Sequence, residues 1–224
     1  MKPTYIYTAL IDVLTYRYRL EQDQKNGELT FKEDLQGALS IFDEINGAVF
    51  GVQAISDTII MTCNNHDNFI EFLGVLKSVF IAFLDKGLFI RGGVAYSRHF
   101  ENGRLTYSHA VARAHELEDK SAIYPRIIID ENIVGMYSSS AELPNLEGQS
   151  LLVKQNGVFF LNVVDEGNWE EIYQVTAQIY QRDRDTIVKK EKAFSKHSWF
   201  ENYLFAMKKQ ELEKDRYIEQ MEIV

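Results

Sequence analysis

The sequence predicts a mixed α+β fold, and three observations carry that prediction. Short β-branched and aromatic runs alternate with longer amphipathic stretches. Asn-Gly and similar turn signals punctuate the runs. The chain from Asn168 onward reads as helix alone.

Residues 4–12 are β-branched or aromatic and form the first predicted strand. Tyr16 to about Lys32 is polar and holds the turn signal Lys25-Asn26-Gly27. Residues 33–45 carry Leu35, Leu39, Phe42 and Ile45 at helical spacing. Two β-rich runs in 48–63 flank Ser56-Asp57, which predicts a hairpin with Asp57 at its tip. Residues 66–86 place Phe69, Phe72, Leu73, Leu76, Phe80, Phe83 and Leu84 on one helical stripe that Gly87 ends. A strand over 88–97, an Asn102-Gly103 turn with a returning strand, a helix over 110–122 and a strand over 126–130 follow. A last hairpin turns at Gln155-Asn156-Gly157, and two helices broken near Ser195-Lys196-His197 run to the end. Strand, helix, hairpin, helix, strand is the β-α-β-β-α-β order of ferredoxin-like sheets. The expected division is 1–165 for this domain and 166–224 for a C-terminal helical extension, docked on the domain or on a second subunit through Trp199, Phe200, Leu204 and Phe205.

The chain has 224 residues and is 46% hydrophobic, enough for one substantial core. Its net charge of −9 disfavours DNA or RNA, because phosphate backbones need clustered Lys and Arg. A lone cysteine, Cys63, provides neither a disulfide framework nor a thiolate cage. Lys2-Pro3-Thr4 leads straight into strand and no apolar run approaches the ~20 residues of a membrane span, so a cytoplasmic protein with no membrane contact is expected.

Two acids stand out. Asp12 ends the first strand and Asp57 sits at the hairpin tip. Each alone fits a modest role, Asp12 as a helix cap and Asp57 as a turn residue. In the ferredoxin-like order, however, both reach one sheet edge. Two carboxylates there repel unless a cation sits between them, and Mg²⁺ or Mn²⁺ prefers such oxygen ligands.

Asp12-Val13-Leu14-Thr15-Tyr16-Arg17, the hairpin Ser56-Asp57, "IRGGVAYS", "ENGRLTY" and "YSHAVARAHELE" together resemble the class III nucleotidyl cyclases over about residues 4–165. The resemblance implies two divalent ions held by Asp12, Asp57 and the Val13 carbonyl. It implies a triphosphate cradled by the amides of Leu14, Thr15 and Tyr16, with Lys154 either in reach of a phosphate, as a Lys of this region is in the family, or simply a solvated surface residue. The ribose 3′-hydroxyl would attack the α-phosphorus and release pyrophosphate. It also implies a homodimer with sites at the interface.

Departures from that family are specific. The helix Asn and Arg that steady ribose and phosphate align with Ala112 and Glu116, so Arg113 is the first substitute, with Arg98 and Arg104 behind it. The base-reading Lys or Glu aligns with Gln53, and the adenine-reading Asp aligns near Leu105. Two glycines are replaced, by Thr15 and Ser56. The pattern is similar to the pyrimidine cyclases of antiphage defence (Pycsar), which make cyclic UMP or cyclic CMP for a separate effector. Two other readings stay open: a catalytically degenerate nucleotide-binding scaffold, and a palm-type polymerase of cyclic oligonucleotides. Arg91-Gly92-Gly93 reads as close packing against a helix, and His109 and His115 read as surface or half-buried residues.

Overall fold

An unbroken β-branched and aromatic run becomes the first strand, β1 (Thr4–Val13), with nearly every side chain from Ile6 onward buried. The computed structural model describes residues 4–101, 106–139, 150–208 and 213–218. These fall into two units, Met1–Val163 and Val164–Val224.

In the first unit β1 is the central strand. It pairs antiparallel with β3 (Thr58–Cys63) and with β4 (Ile90–Glu101). Outside β3 lies its hairpin partner β2 (Phe50–Ile55). The order β2-β3-β1-β4 is the ferredoxin-like arrangement, and the fold is α+β. On the far side of β4 the sheet continues through β6 (Ile127–Ile129, parallel to β4), β8 (Val158–Leu161) and β7 (Leu152–Gln155), while β5 (Thr106–Ser108) pairs with β4. Asn156 and Gly157 close the β7–β8 hairpin at φ 50° and 80°, the two positive values that a two-residue turn of this twist requires.

Both faces of β1 are covered, which is why it reads as a run and not an alternation. Tyr7 stacks on Phe69 (centroids 4.4 Å apart) in α3 (Phe69–Asp85), whose apolar stripe is buried as its spacing predicts. On the other face Leu10 packs with Ala114 and Leu117 of α4 (His109–Lys120). The helix comes very close to β4 at Gly93, where a Cβ would stand 2.5 Å from the Leu117 Cβ and 2.7 Å from the Ala114 carbonyl.

Several boundaries differ from the sequence expectation. The polar stretch after β1 is a helix, α1 (Tyr16–Asn26), followed by α2 (Thr30–Leu39) and a 3-10 turn over Ser40–Glu44. α1 buries no residue, so it lacks the apolar stripe by which a helix is read. An unexpected α5 (Glu131–Ser139) follows β6; the Asp130 carboxylate accepts the Asn132 amide and starts it. The Asn102-Gly103 turn lies outside the described residues.

The second unit holds α6 (Trp169–Ile187) and α7 (Glu191–Met207). The break falls at Val188–Lys190, and Ser195-Lys196-His197 lies inside α7, where His197 sits edge-on to Tyr180 of α6 at 5.9 Å. Residues 213–218 are not helical. The buried Glu201 carboxylate accepts the amides of Tyr217 and Ile218 at 2.7 and 2.8 Å and pairs with Arg216, which pins this stretch in irregular form. No helix among the described residues is long and apolar enough to cross a membrane.

Burial holds the His197 imidazole down to about 4 against an ordinary 6.5. The unfolded chain therefore takes up this proton first, and the stability present above pH 6.5 is lost as pH falls from 6.5 to 4. The expected loss is about 3 kcal/mol at the acid end. His197→Phe should flatten that limb, as urea titrations at pH 7 and pH 4.5 will read.

Candidate functional site

The hydrogen-bonded register brings the two acids together. Asp12 stands directly opposite Thr58, the residue after Asp57. The Val13 amide donates to the Asp57 carbonyl at 3.0 Å. Opposed Cα atoms lie about 5.5 Å apart and one residue adds about 3.8 Å, so the two Cα atoms are within about 9 Å. Both residues are half-buried. Among the described residues no group of three or more His, Cys, Asp and Glu side chains is placed to hold a metal ion. Two carboxylates and a main-chain carbonyl at one edge are a hard-oxygen donor set that suits Mg²⁺ or Mn²⁺ when water and phosphate complete the shell.

On the other side of β1, Arg91 of β4 stands opposite Asp12. Its Nε donates to Asp12 Oδ2 at 3.1 Å, and its Nη1 donates to the Ala122 carbonyl at 3.3 Å. Its Nη2 lies 2.6 Å from Oε1 of Glu118 on α4, whose side chain is 7% exposed. Burial raises the Glu118 carboxyl above its usual range, and Arg91 offsets only part of that rise. Sequence reasoning missed both residues in this role. It read Arg91-Gly92-Gly93 as helix packing, which Gly93 does provide.

Two residues at this edge are strained. Thr15, the residue before α1, has φ 67°, and Ser56, first of the two turn residues, has φ 60°. Both stand where the class III pattern has glycine, and both adopt the left-handed conformation that glycine takes without a Cβ clash. The Leu14 amide donates to the Phe89 carbonyl at 2.8 Å, so it is committed within the fold and is withdrawn from the expected cradle. Thr15 makes no side-chain cap, and Tyr16 begins α1 with its ring edge-on to Phe31. The first amides of a helix lack intrahelical partners, so this start is open to an anion.

A cleft of about 510 Å³ occupies the same sheet face. Leu10, Gln53, Ile60 and Thr62 form its floor, and Ala112 and His115 of α4 form its wall. Leu10 is two residues, about 7 Å, before Asp12 on the strand, so the cleft and the acid edge are neighbours. Gln53, Ala112 and His115 are exposed to it. His99 and His115 both line the cleft, although sequence spacing had left His115 as an ordinary surface residue. Its signal was its i,i+3 relation to Ala112, which puts the two on one flank of α4.

Arg113 is on the opposite flank. It lines a separate 230 Å³ cavity with Leu117, Ser121 and Phe159. Its Nε donates to the buried Asp130 at 2.8 Å and its Nη1 to Glu116 at 2.9 Å. The Asp130 bond, then the Glu116 bond, holds the guanidinium more firmly protonated than usual. Arg113 is therefore a structural ion pair in this arrangement and not a group facing the cleft. Arg98 bonds Tyr5 on the α3 face, and Arg104 lies outside the described residues. Lys154 caps the Phe159 ring at 4.8 Å on β7, the far edge strand. Four strand spacings of ~4.8 Å separate it from β1, so it cannot reach the acid pair of its own chain.

No protein-family model matches the chain, and no curated protein matches it in sequence. Solved structures resemble it in backbone outline. One is the monomeric guanylyl cyclase domain of the RhoGC fusion protein from the aquatic fungus Blastocladiella emersonii, at 12% identity and TM-score 0.46, covering 71% of this chain and 95% of that one. Another is the guanylate cyclase domain of RhGC from Catenaria anguillulae in complex with GTP, at 10% identity and TM-score 0.44, covering 72% and 98%. A bacterial light-regulated adenylyl cyclase matches at 12% identity and TM-score 0.43, covering 81% of this chain and 58% of that one.

Thr15→Gly and Ser56→Gly should each raise stability by about 0.5–1 kcal/mol, because relief of left-handed strain outweighs the added chain entropy. Denaturant midpoints will read the gain. Arg113→Ala leaves the Asp130 carboxylate buried without its partner and should cost about 2 kcal/mol, discounted for the partly exposed arginine.

Proposed function

We propose that the chain is a nucleotidyl cyclase that converts a nucleoside triphosphate, most simply UTP or CTP, to a 3′,5′-cyclic mononucleotide and pyrophosphate. The observation that carries the reading is the register that seats Asp12 beside the Asp57 turn, next to an uncapped helix start and an open cleft. Asp12, Asp57 and the Val13 carbonyl would hold two divalent ions. Bound there, such ions would supply Lewis-acid charge that eases ionisation of the 3′-hydroxyl and offsets charge on the leaving group. The 3′-oxygen bonds to the α-phosphorus, the bond to pyrophosphate breaks, and the hydroxyl proton passes to solvent. The amides of Thr15 and Tyr16 orient the triphosphate at the start of α1. Gln53, with one donor and one acceptor on its amide, reads a pyrimidine edge in the cleft.

Lys154 lies four strands from β1 and would meet a bound triphosphate only from a second copy, so a homodimer with sites at its interface belongs to this reading. In this reading the cyclic nucleotide is a second messenger of antiphage defence and acts on a separate effector. The absence of Asn and Arg at Ala112 and Glu116, with Arg113 turned to Asp130, favours a second reading. In it the chain is a degenerate scaffold that binds nucleotide without turnover.

Incubation with Mn²⁺ and each of the four triphosphates, read by mass spectrometry, separates these readings. A cyclic pyrimidine mononucleotide is expected, whereas retained binding without turnover indicates the scaffold. Asp57→Ala should reduce turnover to below a few per cent with the fold intact. Gln53→Ala should relax base choice more than it slows the reaction, and unchanged selectivity removes Gln53 from base reading.

A further inference from the structure

We propose that the Arg91 guanidinium is a built-in counter-ion for Asp12, which a divalent cation must displace onto Glu118 before the acid pair can be filled. This deepens the cyclase reading and rests on its assignment of Asp12 as a metal ligand.

The geometry places one cation between two carboxylates from different elements. Arg91 and Asp12 are cross-strand partners, so their pairing is set by the sheet and not by chance rotamers. Glu118 reaches the same guanidinium from α4. The two contacts are unequal. Asp12 lies toward solvent, with a side chain 23% exposed, and receives a hydrogen bond at 3.1 Å. Glu118 is the more buried partner and the nearer one, at 2.6 Å, yet among the described residues its Oε1 makes no aligned hydrogen bond. Glu118 therefore has acceptor capacity left for a fork-to-fork arrangement. The Ala122 carbonyl anchors the third nitrogen on the Glu118 side.

Charge arithmetic points the same way. Asp12, Glu118 and Arg91 sum to −1, and Asp57 brings the edge to −2. A divalent ion at Asp12 would neutralise that charge but would stand a few ångströms from the guanidinium. Repulsion at that range is only weakly screened at a partly buried site. A short rotation away from Asp12 relieves it and costs only the more solvated of the two ion pairs. Arg91 thus weakens metal binding relative to a bare carboxylate pair, and Glu118 sets how readily it moves aside.

Mn²⁺ binding to the nucleotide-free protein, measured by calorimetry and by electron paramagnetic resonance of the free ion, tests this without recourse to turnover. Arg91→Gln should bind Mn²⁺ about tenfold more tightly than wild type, by removal of one competing charge. Glu118→Gln should bind it several-fold more weakly, because Arg91 then loses its buried carboxylate partner and leans more on Asp12. Asp12→Asn serves as the reference for site occupancy. Unchanged or weaker binding in Arg91→Gln, while wild-type binding still depends on Asp12, overturns the counter-ion role and leaves the cyclase reading standing. If Arg91→Gln fails to fold, Glu118→Gln decides: unchanged or tighter binding overturns the proposal. No Asp12-dependent binding in wild type or either variant removes the metal assignment and this inference together.

Discussion

The register of β1 is the constraint on which the rest depends. A strand buried on both faces cannot slip by one residue without sending Leu10 and Asp12 to the α3 face and Tyr7 and Ile11 to the α4 face. That single alignment puts Asp12 opposite Thr58 on one side and Arg91 on the other. It also puts the Val13 amide on the Asp57 carbonyl. Hydrophobic burial, which has no interest in catalysis, thereby decides the spacing of every charge at the edge.

The charges at this edge are held against the grain of a folded interior. Glu118 is buried, and that burial raises its carboxyl above the usual range while Arg91 offsets part of the rise. Thr15 and Ser56 occupy left-handed backbone, where side chains other than glycine carry strain. Strain and shared charge gather within a few residues of Asp12, while the sheet beyond β4 shows regular ladders and a turn with suitable residues at both positive positions. Such local conflict in an otherwise consistent chain is typical of a site where selection acts on something other than stability.

Much of the architecture was legible in the residues. The α3 stripe, the Ser56-Asp57 hairpin, the Asn156-Gly157 hairpin and the order of strands follow from periodicity and turn chemistry. α1 was not legible, because a helix that buries nothing has no apolar period to read. α5 was hidden by its short length and by a start that depends on Asp130, a residue read as the end of a strand. The α6–α7 break was misplaced because His197 looks like a polar interruption, whereas its ring packs against Tyr180.

The candidate site divides in the same way. The meeting of Asp12 and Asp57 at one edge was foreseeable from the chain, since strand ends and hairpin tips are local features and the order of elements limits where they meet. Arg91, Glu118 and the cleft position of His115 were decided by tertiary structure, as was the diversion of Arg113 to Asp130. Each depends on which residues face one another across strands, or across a helix and a sheet, and cross-element register leaves no local trace in sequence. Local patterns specify what a segment becomes. Only packing specifies which of its side chains share a charge.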